Sequence, residues 1–384
     1  MSERKVPKIR FPGFTDDWEQ RKLGDYVDIV SGDAPSKFED GNELYVKVDD
    51  LNYNLKYVTD SQSKVAIHKS IKKALKGSVV FPKRGAAIMT NKVRILAEDS
   101  YMDTNMMALS SDRIDSEFLY NVISKEGLYK IADTSTIPQI NNKHIEPYEV
   151  MLPNMEEQKR IGEFFENMDN LITLHQRELD KWKELKKGML QKMFPKDGES
   201  VPEIRFPGFE GQWKRYKLEE VTDEFRSGTF IAATDIGDDG EYPVYGGNGL
   251  RGYANTFNHD GEFALIGRQG ALCGNVNYSY GKAYFTEHAV AVKANSSANT
   301  KFLFYLLDLM RLGQYSDQSA QPGLAVGKLI KLENMFPSKQ EQKRISNLFS
   351  LLDMIISNLQ GEVMKWQSLK KALLQQMFVQ TGTG

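Results

Sequence analysis

The sequence predicts a mixed α/β (α+β) chain in which two globular domains are joined by two long coiled-coil helices, the whole built as an internal repeat. Three observations carry this. Residues 157–194, EQKRIGEFFENMDNLITLHQRELDKWKELKKGMLQKMF, lie over residues 341–378, EQKRISNLFSLLDMIISNLQGEVMKWQSLKKALLQQMF, at an offset of 184. PKIRFPGFTDDWEQRKL at 7–23 returns as PEIRFPGFEGQWKRYKL at 202–218, at an offset of 195. The stretches between these flanks differ in sequence. The unit is therefore an RFPGF segment, a variable domain and a long helix, repeated once.

Each long segment reads as one helix with a coiled-coil seam. Ile161, Phe165, Met168, Ile172, His175, Leu179, Trp182, Met189 and Met193 follow alternating steps of four and three, broken only where Lys186 takes a place in the stripe. The second copy gives Ile345, Phe349, Leu352, Ile356, Leu359, Val363, Trp366, Leu373 and Met377. A 3.5-residue period held over several heptads asks for a partner helix, and two equal copies in one chain can supply it to each other. Ile161, Phe165, Ile172, Trp182, Ile345, Phe349, Ile356 and Trp366 are the expected pairing residues. Glu156, Glu157, Glu163 and Glu166 lie early and Lys183, Lys186, Lys187 and Lys192 late, which matches the helix dipole. An ordinary amphipathic core helix is the plainer reading, but it explains neither the length nor the duplication.

Composition narrows the function classes. A chain of 384 residues that is 40% hydrophobic has ample core for two or three domains. No apolar run approaches the ~20 residues of a membrane span. MSERKVPK lacks the apolar stretch of a signal peptide, so no membrane association and a cytoplasmic location are expected. Cys273 stands alone, which leaves no disulfide or cysteine metal site within the chain. A net charge of -2 places any anion-binding function on local basic clusters.

The expected borders are 1–152 for the first domain, 153–195 for the central helix, 196–202 for a polar linker, 203–337 for the second domain and 338–380 for the distal helix. RFPGF reads as an extended segment and turn that pins Phe and Trp against the next domain. In the first domain, 45–48, 78–81 and 93–96 read as strands, and 68–76 and 116–124 as helices. Residues 61–97 hold nine Lys or Arg (Lys64, Lys69, Lys72, Lys73, Lys76, Lys83, Arg84, Lys92, Arg94) and no Asp or Glu. Such a block is an electrostatic footprint for phosphates, although a solvated lysine face would also account for residues 69–76. The turn around Lys83 and Arg84 and the run through Asn91 and Lys92 place donors on loops, which favours binding. TSTIPQINNKHI at 134–145 aligns with the segment from 318 onward, QSAQPGLAVGKLI. There Thr136, Gln139, Asn141, Asn142 and Gln321 are candidates for base edges, since Asn and Gln pair bidentately with adenine. In the second domain, YPVYGGNGLRGY and GEFALIGRQGALCGNV are glycine-punctuated strands and turns. Asn248, Arg251, Arg268 and Gln269 on those turns can donate to phosphates or bases where glycine lets the backbone approach closely. Ordinary β-turn glycines and a polar loop are the structural alternatives.

No GxxxxGK[ST], HExxH or paired Cys/His spacing is present, the glycine runs at 246–252 and 267–274 do not form a GxGxxG between a strand and a helix, and there is no Asn/Asp-Pro-Pro-Phe/Tyr of an amino-methyltransferase. No catalytic or metal-binding residue is assigned. The chain resembles the specificity subunits of Type I restriction-modification enzymes. The match is carried by PKIRFPGF and PEIRFPGF, by P-x3-EQKRI at Pro153 and Pro337, and by the KW-x2-LKK-x2-LQ-x-MF helix ends. The resemblance implies a pseudo-two-fold arrangement in which each variable domain is a target recognition domain reading one half of a bipartite double-stranded DNA sequence. It also implies that the helices pair antiparallel as a spacer. Partners would be two adenine methyltransferase (modification) subunits and motor-nuclease (restriction) subunits, with S-adenosylmethionine, ATP and Mg on those partners and no cofactor in this chain, which would catalyse nothing. A coiled-coil scaffold with two protein-binding domains would also duplicate its helices, but would not need the acid-free basic block.

Overall fold

The computed structural model describes residues 5–133, 137–317 and 322–379. Its elements follow in chain order. The first repeat holds β1 (Glu19–Lys22), β2 (Asp28–Ser31), β3 (Asp40–Val46), α1 (Asp50–Tyr53), β4 (Tyr57–Val58), β5 (Lys64–Val65), β6 (Val79–Pro82), β7 (Arg94–Leu96), β8 (Tyr101–Met102), β9 (Met106–Ser110), α2 (Ser116–Glu126), α3 (Asn142–Ile145), β10 (Glu149–Leu152) and the long α4 (Met155–Met193). The second holds β11 (Lys214–Lys217), β12 (Thr222–Ser227), β13 (Tyr242–Gly246), β14 (Gly249–Ala254), β15 (His259–Gly267), β16 (Val276–Phe285), β17 (Ala289–Ala294), α5 (Thr300–Leu309), α6 (Val326–Leu329), β18 (Glu333–Phe336) and the long α7 (Lys339–Gln376).

The chain divides into two compact units, residues 1–176 with 361–384, and residues 177–360. The borders fall inside α4 and α7. The polar linker at 196–202 does not mark a border, because the Met193 and Phe194 that precede it are buried in the second unit's core.

The variable domains share the order and direction of their central strands although their sequences do not match. In the first unit β2-β9-β6-β7-β4 form one sheet and β5-β3-β8 another. In the second a single sheet runs β12-β17-β15-β16-β13-β14. β2, β9 and β6 correspond to β12, β17 and β15, antiparallel throughout. β16 does in one strand what β7 and β8 do in two: its start pairs antiparallel with β15 as β7 does with β6, and its end runs parallel to β13 as β8 does to β3. A two-stranded pairing, β1 with β10 and β11 with β18, closes each domain just before its long helix.

The predicted strands at 45–48, 78–81 and 93–96 are found as β3, β6 and β7, and the helix at 116–124 as α2. The helix expected at 68–76 is absent. Ala74 exchanges backbone hydrogen bonds with Ser100, both at 2.9 Å, and Leu75 is exposed. A lysine-spaced face without a buried stripe has nothing to hold it helical.

Each α/β domain is fastened to the helix that follows it by the repeated residues. Asp115 and Asn299 cap α2 and α5, accepting from the backbone N–H of Phe118 and Phe302 at 3.0 and 2.8 Å. The backbone N–H of those caps donates to Gln158 and Gln342, at 3.0 and 2.9 Å. Phe118, Leu119, Val122 and Ile123 then bury one face of α2, as Phe302, Leu303, Leu306 and Leu307 do for α5. Asn154 and Ser338 cap the long helices through the N–H groups of Glu157 and Glu341. The two carboxylates turn instead to the RFPGF arginines: Arg10 donates to Glu157 at 2.7 and 2.8 Å, and Arg205 to Glu341 at the same distances. RFPGF therefore pins the helix start as well as the domain, with Phe11 edge-on to Phe164 and Trp18 and Trp213 buried.

Within each unit the start of one long helix packs against the end of the other, which makes the pairing antiparallel. In the first unit Phe165 lies 6.0 Å from Phe378, and Lys370 pairs with Asp169. In the second Phe349 lies 6.3 Å from Phe194, and Lys186 pairs with Asp353 at 2.5 Å. The lysine that breaks the apolar stripe thus faces a carboxylate. Ile161, Phe165, Ile345 and Phe349 are buried, and Ile172, Ile356, Trp182 and Trp366 half-buried. Pro195 follows α4 and forbids its continuation. Among the described residues no helix is long and apolar enough to cross a membrane.

Candidate nucleic-acid interface

The clearest common feature of the two α/β domains is a turn at the end of an interior strand, on the edge of the sheet formed by the strand ends. In the first domain β6 ends at Pro82, and the backbone N–H of Lys83 donates to Asn105 at 2.7 Å. Gly85 donates to the Pro138 carbonyl at 2.8 Å, and Ile140 to the Lys83 carbonyl at 2.8 Å, with Arg84 bridged to Gln139. In the second domain β15 ends at Gly267, and Arg268 donates to His288 at 2.9 Å. Gly270 donates to Pro322 at 3.1 Å and Leu324 to Arg268 at 2.9 Å, with Gln269 bridged to Gly323. The wiring is the same. Lys83, Arg84 and Gly85 occupy the places of Arg268, Gln269 and Gly270.

A second loop completes each edge. Ser31-Gly32-Asp33 and Ser227-Gly228-Thr229 leave β2 and β12 and cross against the backbone after β8 and β16. The N–H of Gly32 donates to Met106 at 3.1 Å and that of Gly228 to Ala289 at 3.0 Å. A Cβ on Gly32 would sit 2.0 Å from the Asp103 oxygen, and one on Gly228 2.1 Å from the Phe285 oxygen, so only glycine fits. This Ser-Gly repeat, at an offset of 196, was readable in the sequence as a duplicated strand end, but two residues are too short to register against the longer repeats.

In the first domain the edge gathers Lys83, Arg84, Gln139 and Asn141. The Gln139 amide donates to Asn141 at 3.1 Å, and Asn141 caps α3, whose exposed first residue is Asn142. Lys83 is half-buried, and burial lowers the pKa of its ammonium against the opposing pull of Asp33. Lys64 stands exposed on β5, 3.9 Å from Asp60. Other members of the basic block are engaged elsewhere. Arg94 is a correction: its guanidinium donates to the backbone oxygens of Asn54, Val93 and Leu51 at 2.9, 2.8 and 2.7 Å, and burial lowers its pKa. Those bonds tie α1 to β7 and leave Arg94 a structural residue. Asn91 is another: it adopts φ 47 at the end of a short helical turn and its amide donates to Ser124 at 2.9 Å. Lys92 donates to Asn52, and Lys73 to Glu43 at 2.6 Å. An acid-free run in sequence is thus not an acid-free surface.

In the second domain Asn248, Arg251, Arg268 and Gln269 come together. Asn248 is exposed at the tip of the β13–β14 hairpin. Neighbouring Gly247 packs on the backbone oxygens of Gln269 and His288, each 3.3 Å from where its Cβ would lie. Arg251 is exposed on β14 beside Gly246. Arg268 donates to the Ser227 hydroxyl at 3.3 Å. Thr136 and Gln321 lie outside the described residues.

Two like-built domains, each presenting an edge of hydrogen-bonding side chains and each clamped to a repeated helix, define a duplicated recognition protein on a helical scaffold. The Type I restriction modification DNA specificity domain matches residues 15–184 and again 210–363. The chain belongs to that family. It is 43% identical over 160 residues to the Type I restriction enzyme EcoprrI specificity subunit of Escherichia coli, covering 41% of this chain and 40% of that protein. It is 24% identical over 252 residues to the MjaVIII specificity subunit of Methanocaldococcus jannaschii, covering 62% and 56%. The chain thus spans about half the length of these curated relatives or less. In fold it is similar to the crystal structure of the S subunit of a Type I restriction-modification system from M. genitalium. That match has a TM-score of 0.73 and 17% identity, and covers 98% of this chain and 100% of the other.

Proposed function

We propose that this chain is the DNA-reading, non-catalytic subunit of a Type I restriction-modification complex in the cytoplasm. Each α/β domain reads one half of a split double-stranded target, and the helix pair sets the gap and docks two adenine methyltransferase subunits, to which motor-nuclease subunits attach. S-adenosylmethionine, ATP and Mg belong to those partners. The observation that carries this reading is the pair of edge turns, wired by corresponding backbone hydrogen bonds and different in side chains. A shared frame with exchanged polar groups suits two domains that do one task on two different sequences. Base flipping before methylation falls to the methyltransferase, since the chain offers exposed edges for groove contacts.

The test is to replace residues 203–337 with the corresponding region of a relative and sequence the methylated adenines made by the complex. One half of the motif changes and the other stays. A change in both halves, or in neither, rejects the division of labour.

A further inference from the structure

The two edge turns differ at one outward-facing position. Arg84 and Gln269 each follow a half-buried basic residue, each form the bridge to the opposing segment, and each precede a left-handed glycine, Gly85 at φ 75 and Gly270 at φ 87. Both side chains are exposed. Lys83 and Arg268 are drawn inward, and because successive side chains on extended backbone point to opposite sides, Arg84 and Gln269 project the other way. Arg84 is extended, at φ -145 and ψ 142. One exposed side chain per domain therefore stands at the same backbone site with different hydrogen-bond chemistry.

Arginine carries donors only, in a fixed fork, whereas glutamine carries one acceptor oxygen and a donor amide. Arginine and glutamine can both donate to a phosphate oxygen, but phosphates are the same in every sequence and give no reason for a fork in one domain and an amide in the other. Base edges account for both: the arginine fork meets the two acceptors of guanine, and the glutamine amide meets the donor and acceptor of adenine. We propose that Arg84 and Gln269 are the matching base-reading positions of the two domains, Arg84 taking a guanine in one half-site and Gln269 an adenine in the other. Lys83 and Arg268, half-buried on the opposite side, stay with their domains, Arg268 donating to the Ser227 hydroxyl. This assignment rests on the DNA-reading function proposed above.

The experiment uses the full chain assembled with its methyltransferase partners, and sequences the methylated motif for the wild type, Gln269→Arg and Arg84→Gln. Gln269→Arg converts one adenine preference to guanine in one half-site, by about tenfold or more in competition between duplexes, and leaves the other half unaltered. Arg84→Gln does the reverse in the other half. Gln269→Ala and Arg84→Ala, scored by competition binding of the assembled complex to duplexes varied one base pair at a time, relax discrimination at the same positions. They serve where a swapped variant does not assemble. Unchanged discrimination in the alanine variants, or an equal loss of affinity for every duplex, overturns the assignment and leaves the DNA-reading function standing. A wild-type complex with no sequence preference fails that function itself.

Discussion

At the scale of single residues, the repeated pentad EQKRI is explained by what its first two side chains touch. Glu157 and Glu341 are buried and each meets an arginine fork, while Gln158 and Gln342 accept from a helix cap and donate to Pro153 and Pro337 at 2.9 and 3.0 Å. Removing one member of a buried pair strands the other, which costs about 3 to 5 kcal/mol. Arg10 keeps some access to water, so Glu157→Gln is expected to cost about 3 kcal/mol. Urea unfolding followed in the first unit measures it, and a loss under about 1 kcal/mol would mean the pair is screened as a surface bridge. That these residues recur was plain in the sequence; what they hold was not, since Arg10 and Glu157 are 147 positions apart. For a related reason two of the expected contact residues, Arg94 of the basic block and its neighbour Asn91, spend donors on carbonyls within the fold, whereas Lys83 and Arg84 of the same block lie at the turn.

At the scale of elements, the seams of α4 and α7 were legible because a 3.5-residue period is a local property of sequence. The common fold of the variable domains was hidden. Strand order depends on pairings between distant segments, and many apolar sequences satisfy the same buried positions. Met106 and Met107 on β9 pair where Ala289 and Val290 do on β17. The helix ends carry a sharper expectation. Phe378, after α7, packs on Phe118 at 5.2 Å and Trp18 at 6.1 Å in the first unit, whereas Phe194, after α4, packs on Phe302 at 5.3 Å and Trp213 at 6.0 Å in the second. Phe378→Ala should therefore loosen the first α/β domain by about 3 to 5 kcal/mol, and Phe194→Ala the second by a similar amount. Amide hydrogen exchange of β6 and α2 against β15 and α5 reads the two effects separately. Equal acceleration in both domains for Phe378→Ala would contradict this division.

At the scale of the whole molecule, α4 is 39 residues long, about 58 Å at ~1.5 Å per residue, a length equal to roughly 17 base pairs at ~3.4 Å each. Under the proposed function, one heptad added to each helix beside Gln176 and Gln360, where the compact units divide, keeps the seam in register. Each helix grows by about 10 Å, so the gap in the methylated motif should widen by at most roughly three base pairs with both half-sites intact. An active complex with an unchanged gap would refute the role of the helices as a ruler. Closure of the first unit by Phe378 also bears on how the protein is made. A nascent chain that has left the ribosome as far as residue 300 contains the whole first α/β domain but not the ring that seals its core. The domain translated first is completed last, and a premature stop codon in the second half of the gene damages the first domain as well as the second.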